Sequence, residues 1–574
     1  MGGLKKYIRP YYALMLATMF IKFLGAMVEL MIPNLLETIL DDVVPTGNRG
    51  NILLYGGGMV LCALVCVTAN IIANRMSAVS AGKITQNIRH DLFAKLDGLS
   101  ARQLDELTIP SAVSRLTSDT YNVNQLLARM QRLGIRGPIL LLGGIAITLT
   151  MDTGLALVLV ATLPIIAVVV YFVTKTSVPL YTQEQGILDD MVRVVQENIT
   201  GIRVIKALSK TEYEKRRFHQ VNGKLCSVDQ KVGGITAITN PTATLVLNLG
   251  LAMVVLVGAY RVNGGLSKPG VIIAFLNYFT MILNAMLGVT RIFVMWSKGQ
   301  ASAKRVVSVL RLPEELTVQP EQEAKSSCFL EFRHVSFSYN GVLDNLHDLS
   351  FCLQKGQTLG ILGATGSGKS TLIQLVLRFY DPDQGTIFLD GVDIRTMEPS
   401  QLRPRFGVVF QNDFILEGSI ADNIRYYRDL DDAQLLKAAS WAQAEFVRSK
   451  EGGLQHQVAV RGNNLSGGQK QRLLIARALA ANPELLILDD ASSALDYQTD
   501  ASLRKDLAAH FRDTTKIIVA QRISSIRHAD QILVLQEGRL IGHGTHEQLL
   551  QTCPVYRNIA QAQMGTEGVT ACGG

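Results

Sequence analysis

The sequence has 574 residues, of which 48% are apolar and 18% are charged, and its formal net charge is +8. This length excludes a single ordinary domain, and the apolar excess indicates that part of the chain lies in lipid. The positive charge does not indicate nucleic acid, because no stripe of basic residues interleaved with aromatic ones accompanies it. An asymmetric placement of Lys and Arg around membrane spans accounts for the charge better.

Six apolar stretches in the first 300 residues approach the roughly 20 residues that a membrane-spanning helix needs. They are residues 12–32, 52–72, 137–151, 155–174, 239–260 and 271–296, of which the third is short. The connections between spans two and three and between spans four and five are long and rich in Lys and Arg. By the positive-inside tendency, these connections and both termini are cytoplasmic. The apolar stretch after Lys5, Lys6 and Arg9 is too long for a cleavable signal.

Both long connections have helical periodicity and few Pro or Gly residues, as residues 192–205 illustrate. The pattern predicts helices that continue out of the membrane. About 25 further helical residues would project roughly 35–40 Å. Such helices can reach a cytoplasmic domain directly.

Lys22 and Glu29 are charged residues inside the first predicted span. Charges in lipid are costly and usually functional, so both are candidate substrate-contacting residues. Seven residues apart, they lie on nearly the same helix face, about 10 Å apart along the axis. A carboxylate facing a cavity could attract cationic amphiphiles. Alternatively, each charge pairs with a polar group on another helix, or Glu29 lies near the outer interface.

Residues 313–327, rich in Glu, Gln and Pro, are the predicted linker. It separates a transmembrane domain, residues 1–312, from a second domain, residues 328–574. The seven cysteines are odd in number and scattered, without the spacing of a metal site. They are predicted to be reduced thiols.

A glycine-rich loop in the second domain has the pattern Gly-x-x-x-x-Gly-Lys-Ser from Gly363 to Ser370. It follows an apolar strand and precedes a helical stretch, so its backbone N–H groups and the helix dipole would face phosphates. Lys369 would reach the terminal phosphates of ATP and Ser370 would hold Mg²⁺. A second buried strand ends at Asp489, where a metal-facing carboxylate belongs. The predicted phosphate-loop residues are Gly363, Thr365, Gly366, Ser367, Gly368, Lys369, Ser370 and Thr371.

The segment Leu465 to Gln469 reads LSGGQ and precedes the Asp489 strand. With the phosphate loop, this segment resembles the signature of ATP-binding cassette (ABC) proteins. The resemblance implies that Tyr339 stacks on adenine and that Gln411, with Ser370 and Asp489, contacts Mg²⁺. It also implies that two cassettes dimerise head to tail. In that arrangement Ser466, Gly467, Gly468 and Gln469 face the partner's ATP.

The resemblance extends over nearly the whole chain, because residues 114–119 and 201–206 look like intracellular-loop segments of ABC exporters of the type IV fold. The expected fold class is therefore a membrane protein with a six-helix α transmembrane domain and long cytoplasmic helical extensions. An α/β P-loop cassette domain follows it. This resemblance, without a targeting extension, suggests a bacterial cytoplasmic membrane protein whose cassette is cytoplasmic.

Two positions depart from the family pattern. The residue after the Mg-facing Asp489 is Asp490 where the family has Glu, and the switch position is Gln521 where the family has His. Asp is one methylene shorter, and misplacement by about an ångström can cost on the order of 100-fold in rate. The alternative is neutral drift in an active enzyme. The combination is similar to the degenerate subunit of heterodimeric exporters, whose partner half-transporter supplies Glu and His.

The sequence therefore predicts one subunit of an ATP-driven exporter of hydrophobic or amphiphilic small molecules, such as drugs or lipids, working by alternating access. ATP, Mg²⁺, membrane lipid and a second half-transporter are its expected partners. Three alternatives remain at this point. They are an importer of a metal chelate on an exporter scaffold, a homodimeric exporter with slow ATPase, and a regulatory or channel-like subunit that barely hydrolyses ATP.

Overall fold

The computed structural model describes residues 2–313, 316–320, 326–411 and 413–570. The predicted linker residues 314, 315 and 321–325, together with Cys572, lie outside the described residues. The chain forms two compact units. One comprises Met1–Asp97 and Ile109–Leu312, and the other comprises Gly98–Thr108 and Pro313–Gly574.

The described part of the first unit consists of helices joined by short turns. Its α-helices are Lys5–Ile8, Tyr12–Thr38, Arg49–Asp97, Ile109–Ser114, Thr120–Met151, Thr153–Thr200, Ile202–Ala207, Thr211–Ala237, Thr239–Asn263 and Pro269–Leu310. Five helical stretches among the described residues are long and apolar enough to cross a membrane: Lys5–Thr46, Arg49–Asp97, Ile109–Met151, Thr244–Asn263 and Pro269–Met286. A shorter apolar stretch, Thr153–Ile165, begins the helix that contains the predicted fourth span.

The helices of the first unit extend well beyond the length that a membrane requires. Arg49–Asp97 is one helix of 49 residues and Thr153–Thr200 one of 48. At 1.5 Å per residue each is roughly 70 Å long, more than twice the ~30 Å hydrocarbon thickness. The predicted continuation of the spans as helices is therefore confirmed.

Polar contacts fix the ends and the crossings of these helices. Asp152 caps Thr153–Thr200 by accepting from the backbone N–H groups of Gly154 and Leu155, at 2.9 and 3.1 Å. Its second oxygen accepts from Arg261 Nε at 2.9 Å. Tyr278, buried in the apolar core, donates its hydroxyl to the carbonyl of Leu30 at 2.6 Å. Asp152 and Tyr278 thus both have partners in the low-dielectric interior.

The second unit contains two larger sheets and a two-stranded one. Its strands are β1 Leu330–Phe337, β2 Leu346–Leu353, β3 Thr358–Gly363, β4 Gln384–Leu389, β5 Val392–Asp393, β6 Phe406–Val409, β7 Gly418–Ser419, β8 Gln457–Val458, β9 Leu485–Asp489, β10 Thr515–Val519, β11 Gln531–Gln536 and β12 Arg539–Gly544. The sheet orders are β2-β1-β4-β5, β12-β11-β3-β10-β9-β6 and β7-β8. In the six-stranded sheet only the edge strand β12 pairs antiparallel.

Strand β9 is buried at every position, which is typical of a parallel strand covered on both faces. β3 and β9 flank β10 in this sheet, so their carboxyl ends reach the same edge. The α-helices of the second unit are Ala101–Leu107, Lys369–Val376, Pro399–Leu402, Ile420–Arg425, Asp432–Trp441, Phe446–Ser449, Gly467–Leu479, Tyr497–His510, His546–Thr552 and Pro554–Thr570. A parallel sheet with helices confirms the predicted α/β class of this domain.

A short helix from the first long connection belongs to the second unit. Ala101–Leu107 begins at a capping box in which the Ser100 hydroxyl accepts from the Gln103 N–H at 3.2 Å. Gln103 Nε2 donates to the Pro313 carbonyl at 2.9 Å, and Tyr380 donates its hydroxyl to Asp105 at 2.7 Å. The part of the connection that packs with the cassette is therefore upstream of the predicted segment 114–119.

The Tyr380→Phe variant is expected to lower the stability of the second unit. It removes the hydrogen bond to Asp105 without opening a cavity, a loss of about 1 kcal/mol. In a domain of this size that corresponds to a fall of roughly 2–4 °C in unfolding temperature. Thermal unfolding of the full chain in detergent, followed by fluorescence, measures it. Tyr497→Phe is the matched control, since the Tyr497 side chain is 72% exposed. Equal melting of both variants and the unsubstituted chain would contradict the prediction.

One expectation about the second unit differs from the structure. Cys328 and Cys352 form a disulfide rather than reduced thiols, because the antiparallel pairing of β1 and β2 brings their Cα atoms to 5.8 Å. The two cysteines are 24 residues apart in the sequence, and this spacing does not predict that they pair. The described part of the linker is also held in place. The fully buried Arg378 donates to the Thr317 carbonyl at 2.9 Å.

Candidate nucleotide site

The glycine-rich loop lies between β3 and the helix Lys369–Val376, in the order that the sequence predicts. Gly366 and Gly368 have φ angles of +83° and +100°, a left-handed conformation that strongly favours glycine. A Cβ on Gly363 would meet the Leu535 carbonyl and the Ser367 hydroxyl at 2.4 Å, so this position has no room for a side chain. The glycines therefore permit the tight loop that turns backbone N–H groups toward a phosphate.

A cavity of about 220 Å³ lies above this loop. Its walls include predicted residues from four separate segments: Thr365, Gly366, Gly368, Lys369, Ser370, Thr371, Gln411, Asp489, Asp490 and Gln521. Asn345, Val519 and Ala520 also line it and were not predicted. Asn345 lies in a loop and accepts from the Tyr339 N–H at 3.1 Å, a contact that no local sequence pattern indicates.

The electrostatics of the cavity depend on one lysine and two carboxylates. Burial lowers the pKa of Lys369, and the charges of Asp489 and Asp490 oppose this shift. Burial raises the pKa of Asp489, and the neighbouring charge of Asp490 raises it further, whereas Lys369 and a hydrogen bond from Ser370 lower it. Burial also raises the pKa of Asp490, against the charges of Lys369 and Arg522. Buried charges of this kind are stabilised by counter-charges, which a bound Mg²⁺ and phosphates would supply.

The chemistry of these groups fits Mg-ATP. Lys369 Nζ donates to the carbonyls of Gly363 and Ala364, both at 2.8 Å, so its ammonium group is held at the loop. The Ser367 hydroxyl is buried against Gly363 and has no hydrogen-bond partner among the described residues, and Ser367 is not part of the cavity wall. Asp489 and Ser370 are oxygen ligands of the type that Mg²⁺ prefers. Held by these residues, Mg²⁺ would offset the negative charge of the phosphates.

The two altered positions contact each other. Gln521 Nε2 donates to Asp490 Oδ2 at 3.2 Å, at the edge of the cavity. Asp490 has a φ angle of +52°, in the left-handed region that Asp tolerates better than most residues, and its N–H donates to the Val519 carbonyl at 3.0 Å. The backbone of β10 and the turn after β9 thus hold both side chains in the wall of the cavity.

Tyr339 lies beside the phosphate loop rather than in the wall of the cavity. Its hydroxyl contacts Thr371 at 3.3 Å and forms a short hydrogen bond with Gln374. The Tyr339 ring makes edge-to-face contacts with Phe337 and Tyr380. The ring centroids of Phe337 and Tyr380 lie 4.9 Å and 5.1 Å, respectively, from that of Tyr339. Tyr339 is 36% exposed, which leaves ring surface for a stacked base.

The LSGGQ segment lies elsewhere in the second unit. Ser466 caps the helix Gly467–Leu479, accepting from the Gln469 N–H at 3.3 Å, and Gln469 accepts from the Ser466 N–H at 3.1 Å. Ser466 and Gly467 are exposed. Among the described residues, the lining of the phosphate cavity includes none from this segment. The N-terminus of this helix is therefore exposed and separate from the phosphate cavity of its own chain.

The structure pairs both charged residues of the first span with neighbouring helices. Arg136 donates to both oxygens of Glu29, from Nε at 3.1 Å and from Nη2 at 2.6 Å. Lys22 Nζ forms a short hydrogen bond with Asn70 Oδ1. This geometry agrees with the alternative in which Lys22 and Glu29 each pair with a polar group on another helix.

A phosphate loop, a buried Asp at the end of a parallel strand, and helices long enough to cross a membrane define a membrane-bound P-loop nucleotide-binding protein. Family comparison agrees with this class. Residues 15–286 match the ABC transporter transmembrane region, and residues 346–493 match the ABC transporter cassette domain.

Related proteins align over nearly the whole chain. An ABC transporter ATP-binding protein of Mycobacterium tuberculosis is 32% identical over 98% of this chain and 97% of its own length. YfiB, an ABC transporter ATP-binding protein of Bacillus subtilis, is 32% identical over 99% of both. A fatty acid ABC transporter ATP-binding/permease protein of Mycobacterium bovis is 32% identical over 85% of this chain and 78% of its own. The chain belongs to the ABC transporter family.

Among solved structures, a bacterial Atm1-family ABC exporter with ATP bound is similar, with a TM-score of 0.81. The similarity covers 96% of this chain and 98% of the other at 24% sequence identity. The chain therefore has the fold of an ABC exporter half-transporter, with one transmembrane region followed by one cassette, as the sequence predicted.

Proposed function

We propose that this chain is one subunit of a heterodimeric, ATP-driven exporter of hydrophobic or amphiphilic small molecules. Its phosphate loop holds Mg-ATP that turns over slowly, with Tyr339, Lys369, Ser370, Gln411 and Asp489 as the binding groups. Its LSGGQ segment completes a second site on the partner, whose own Glu and His carry out hydrolysis. Alternating access of the transmembrane regions, driven by this cycle, moves the substrate across the bacterial cytoplasmic membrane.

One observation carries the assignment of a slow site. Asp490 and Gln521, the two groups expected to orient water and contact the terminal phosphate, are hydrogen-bonded to each other at 3.2 Å. The shorter carboxylate is held toward Gln521, and a Gln side chain cannot act as an imidazole. The loop, Asp489 and LSGGQ retain the groups for binding. Losing the water-orienting group while keeping the binding groups favours slow hydrolysis over loss of ATP binding.

An amphiphilic cargo is supported by one relative, the Mycobacterium bovis protein named as a fatty acid ABC transporter. Its 32% identity extends over 85% of this chain. A fatty acid combines an acidic headgroup with an apolar chain. Export of a molecule of this general kind is consistent with the exporter fold of the present chain.

The purified chain alone is expected to hydrolyse ATP at least about tenfold more slowly than the chain with a half-transporter that carries Glu and His. Steady-state phosphate release in detergent or nanodiscs measures both rates. Lys369→Ala in this chain should abolish nucleotide binding to its own loop, measured with a fluorescent ATP analogue.

Fast hydrolysis by the chain alone, lost in Lys369→Ala and unchanged by the partner, would instead establish a homodimeric exporter. ATP-dependent dye uptake by inside-out vesicles that contain both subunits separates export from import. Uptake into such vesicles corresponds to export from a cell. Its absence there, with uptake by right-side-out vesicles, would indicate the importer alternative.

A further inference from the structure

The first unit contains a cavity of about 510 Å³ with an unusual accumulation of positive charge. Four of its lining side chains are cationic: Lys22, Arg129, Arg132 and Arg136. Three others are amides, Asn70, Asn74 and Gln125, and the remaining one is Leu133. The volume lies in the range of roughly 300–1,000 Å³ that small-molecule sites occupy.

Three helices contribute these residues from one face each. Asn70 and Asn74 are four apart on Arg49–Asp97, and Gln125, Arg129, Arg132 and Arg136 recur every three or four residues on Thr120–Met151. Lys22 comes from Tyr12–Thr38, about 15 Å along the helix from its start. The spacing places the four cations and three amides along one wall instead of scattering them over the surface.

The protein supplies little negative charge to balance this wall. Glu29 accepts both of its hydrogen bonds from Arg136. None of the described acidic residues forms an ion pair with Lys22, Arg129 or Arg132. Arg129 donates to Gln125 at 3.1 Å and Arg132 to the Ala128 carbonyl at 3.2 Å, both on their own helix. Three cations thus face one cavity without an ion-pair partner among the described residues.

Uncompensated cations near lipid are costly, and charged groups there most often mark a substrate path. The bidentate contact with Arg136 also removes Glu29 as an attractor of cations. We propose that this cavity binds the acidic headgroup, a carboxylate or a phosphate, of an amphiphilic substrate. This inference rests on the proposed function and names the substrate class.

An attached apolar chain, rather than a free anion, fits the position of the cavity. Its wall belongs to helices that are long and apolar enough to cross a membrane. Leu133 lines the cavity and is 37% exposed, which gives an alkyl chain an apolar surface next to the cations. The amides can donate to further headgroup oxygens, as Asn and Gln do in sites for polar ligands.

The test uses the full chain in nanodiscs of phosphatidylcholine, without ATP. Radiolabelled hexadecyl phosphate should bind saturably above the level of empty discs. Palmitate should displace it, whereas hexadecanol, hexadecylamine and inorganic phosphate should not. Equal displacement by the amine or the alcohol, or no saturable binding, would overturn the proposal. Displacement by inorganic phosphate at similar concentration would overturn the proposal of an amphiphilic ligand and indicate a site for a free anion.

The matched variant is Arg129→Gln with Arg132→Gln, which removes two cations that bond only to their own helix, so the fold should persist. Affinity for hexadecyl phosphate should fall about tenfold or more, since each charged hydrogen bond contributes substantially. The control is Lys224→Gln with Lys231→Gln, two exposed cations on Thr211–Ala237. Lys22→Gln tests the contribution of the helix Tyr12–Thr38 to the same cavity. Unchanged affinity in the Arg129/Arg132 variant would refute the site.

Failure of this inference and failure of the proposed function give different results. Headgroup binding is measured on one chain without nucleotide, whereas export is measured as ATP-driven uptake with the partner present. If neutral or cationic compounds are exported and the Arg129/Arg132 variant does not affect this export, the proposal of an acidic headgroup is refuted. The proposal that the chain is part of an exporter is then retained. Saturable, variant-sensitive binding without ATP-driven uptake would support the site and refute export.

Discussion

The Gly468→Asp variant of this chain, paired with a half-transporter that carries Glu and His, should lose nearly all ATPase activity, a fall of about 100-fold or more. Gly468 is in the first turn of Gly467–Leu479, whose N-terminus is exposed and carries the positive end of the helix dipole. A carboxylate there would repel the partner's ATP. A Cβ at Gly468 would also meet the Ala494 carbonyl at 3.2 Å, so the turn would shift.

Steady-state phosphate release by the purified pair measures this effect, and two comparisons make it specific. Gly233→Asp adds the same charge on the helix Thr211–Ala237, where a Cβ would meet nothing within 4 Å, and should leave the rate unchanged. Lys369→Ala should remove one of the two bound nucleotides per dimer while retaining most of the turnover. If Lys369→Ala and Gly468→Asp reduce the rate of ATP hydrolysis equally, the two nucleotide sites are equivalent. The proposal of one slow site and one hydrolytic site is then wrong.

The expected difference between Gly468→Asp and Lys369→Ala follows from the position of the LSGGQ segment. Ser466 and Gly467 are exposed at the start of their helix. Among the described residues, those that line the phosphate cavity of this chain include none from the LSGGQ segment. Under the proposed function, each chain therefore contributes two separate nucleotide-contacting surfaces. A dimer of two different chains can make one surface hydrolytic and leave the other for binding.

The motifs that depend on local backbone conformation were predictable from the sequence. The loop from Gly363 to Ser370 needs glycines at positive φ and the Asp489 strand needs continuous burial, and both requirements are visible as residue types at fixed spacing. The long helices were also predictable, because their periodicity continues beyond the apolar stretches. These features require no knowledge of which segments meet in space.

The features that the sequence did not reveal depend on contacts between distant segments. Asn345 enters the phosphate cavity through a loop contact with Tyr339, and the Cys328–Cys352 disulfide depends on the pairing of β1 with β2. The basic cavity combines residues from three helices, so Lys22 alone indicated only a charge in the membrane. In the same way, Arg136 determines the environment of Glu29 from 107 positions away.

Restoring the family residues should raise the rate of this chain's own site. The variant Asp490→Glu with Gln521→His is expected to hydrolyse ATP about 100-fold faster than the unsubstituted chain, in the absence of any partner. The longer carboxylate gains one methylene of reach into the cavity that Asp490 already lines, and the imidazole replaces the amide that now donates to Asp490. Phosphate release by the purified chain measures the gain.

The adjacent carboxylate gives a stringent control for that gain. Asp489→Glu adds the same methylene one residue earlier, but at a side chain that is 6% exposed at the end of β9 and positioned for Mg²⁺. Asp489 lines the cavity, so the extra methylene would push its carboxylate into the space that Mg²⁺ and the phosphates need, and this variant should lose activity and Mg-dependent ATP binding. Since Asp490→Glu with Gln521→His alters only the groups around the water, its ATP affinity should be unchanged. An unchanged rate despite normal ATP affinity would mean that features other than these two residues limit hydrolysis in this chain.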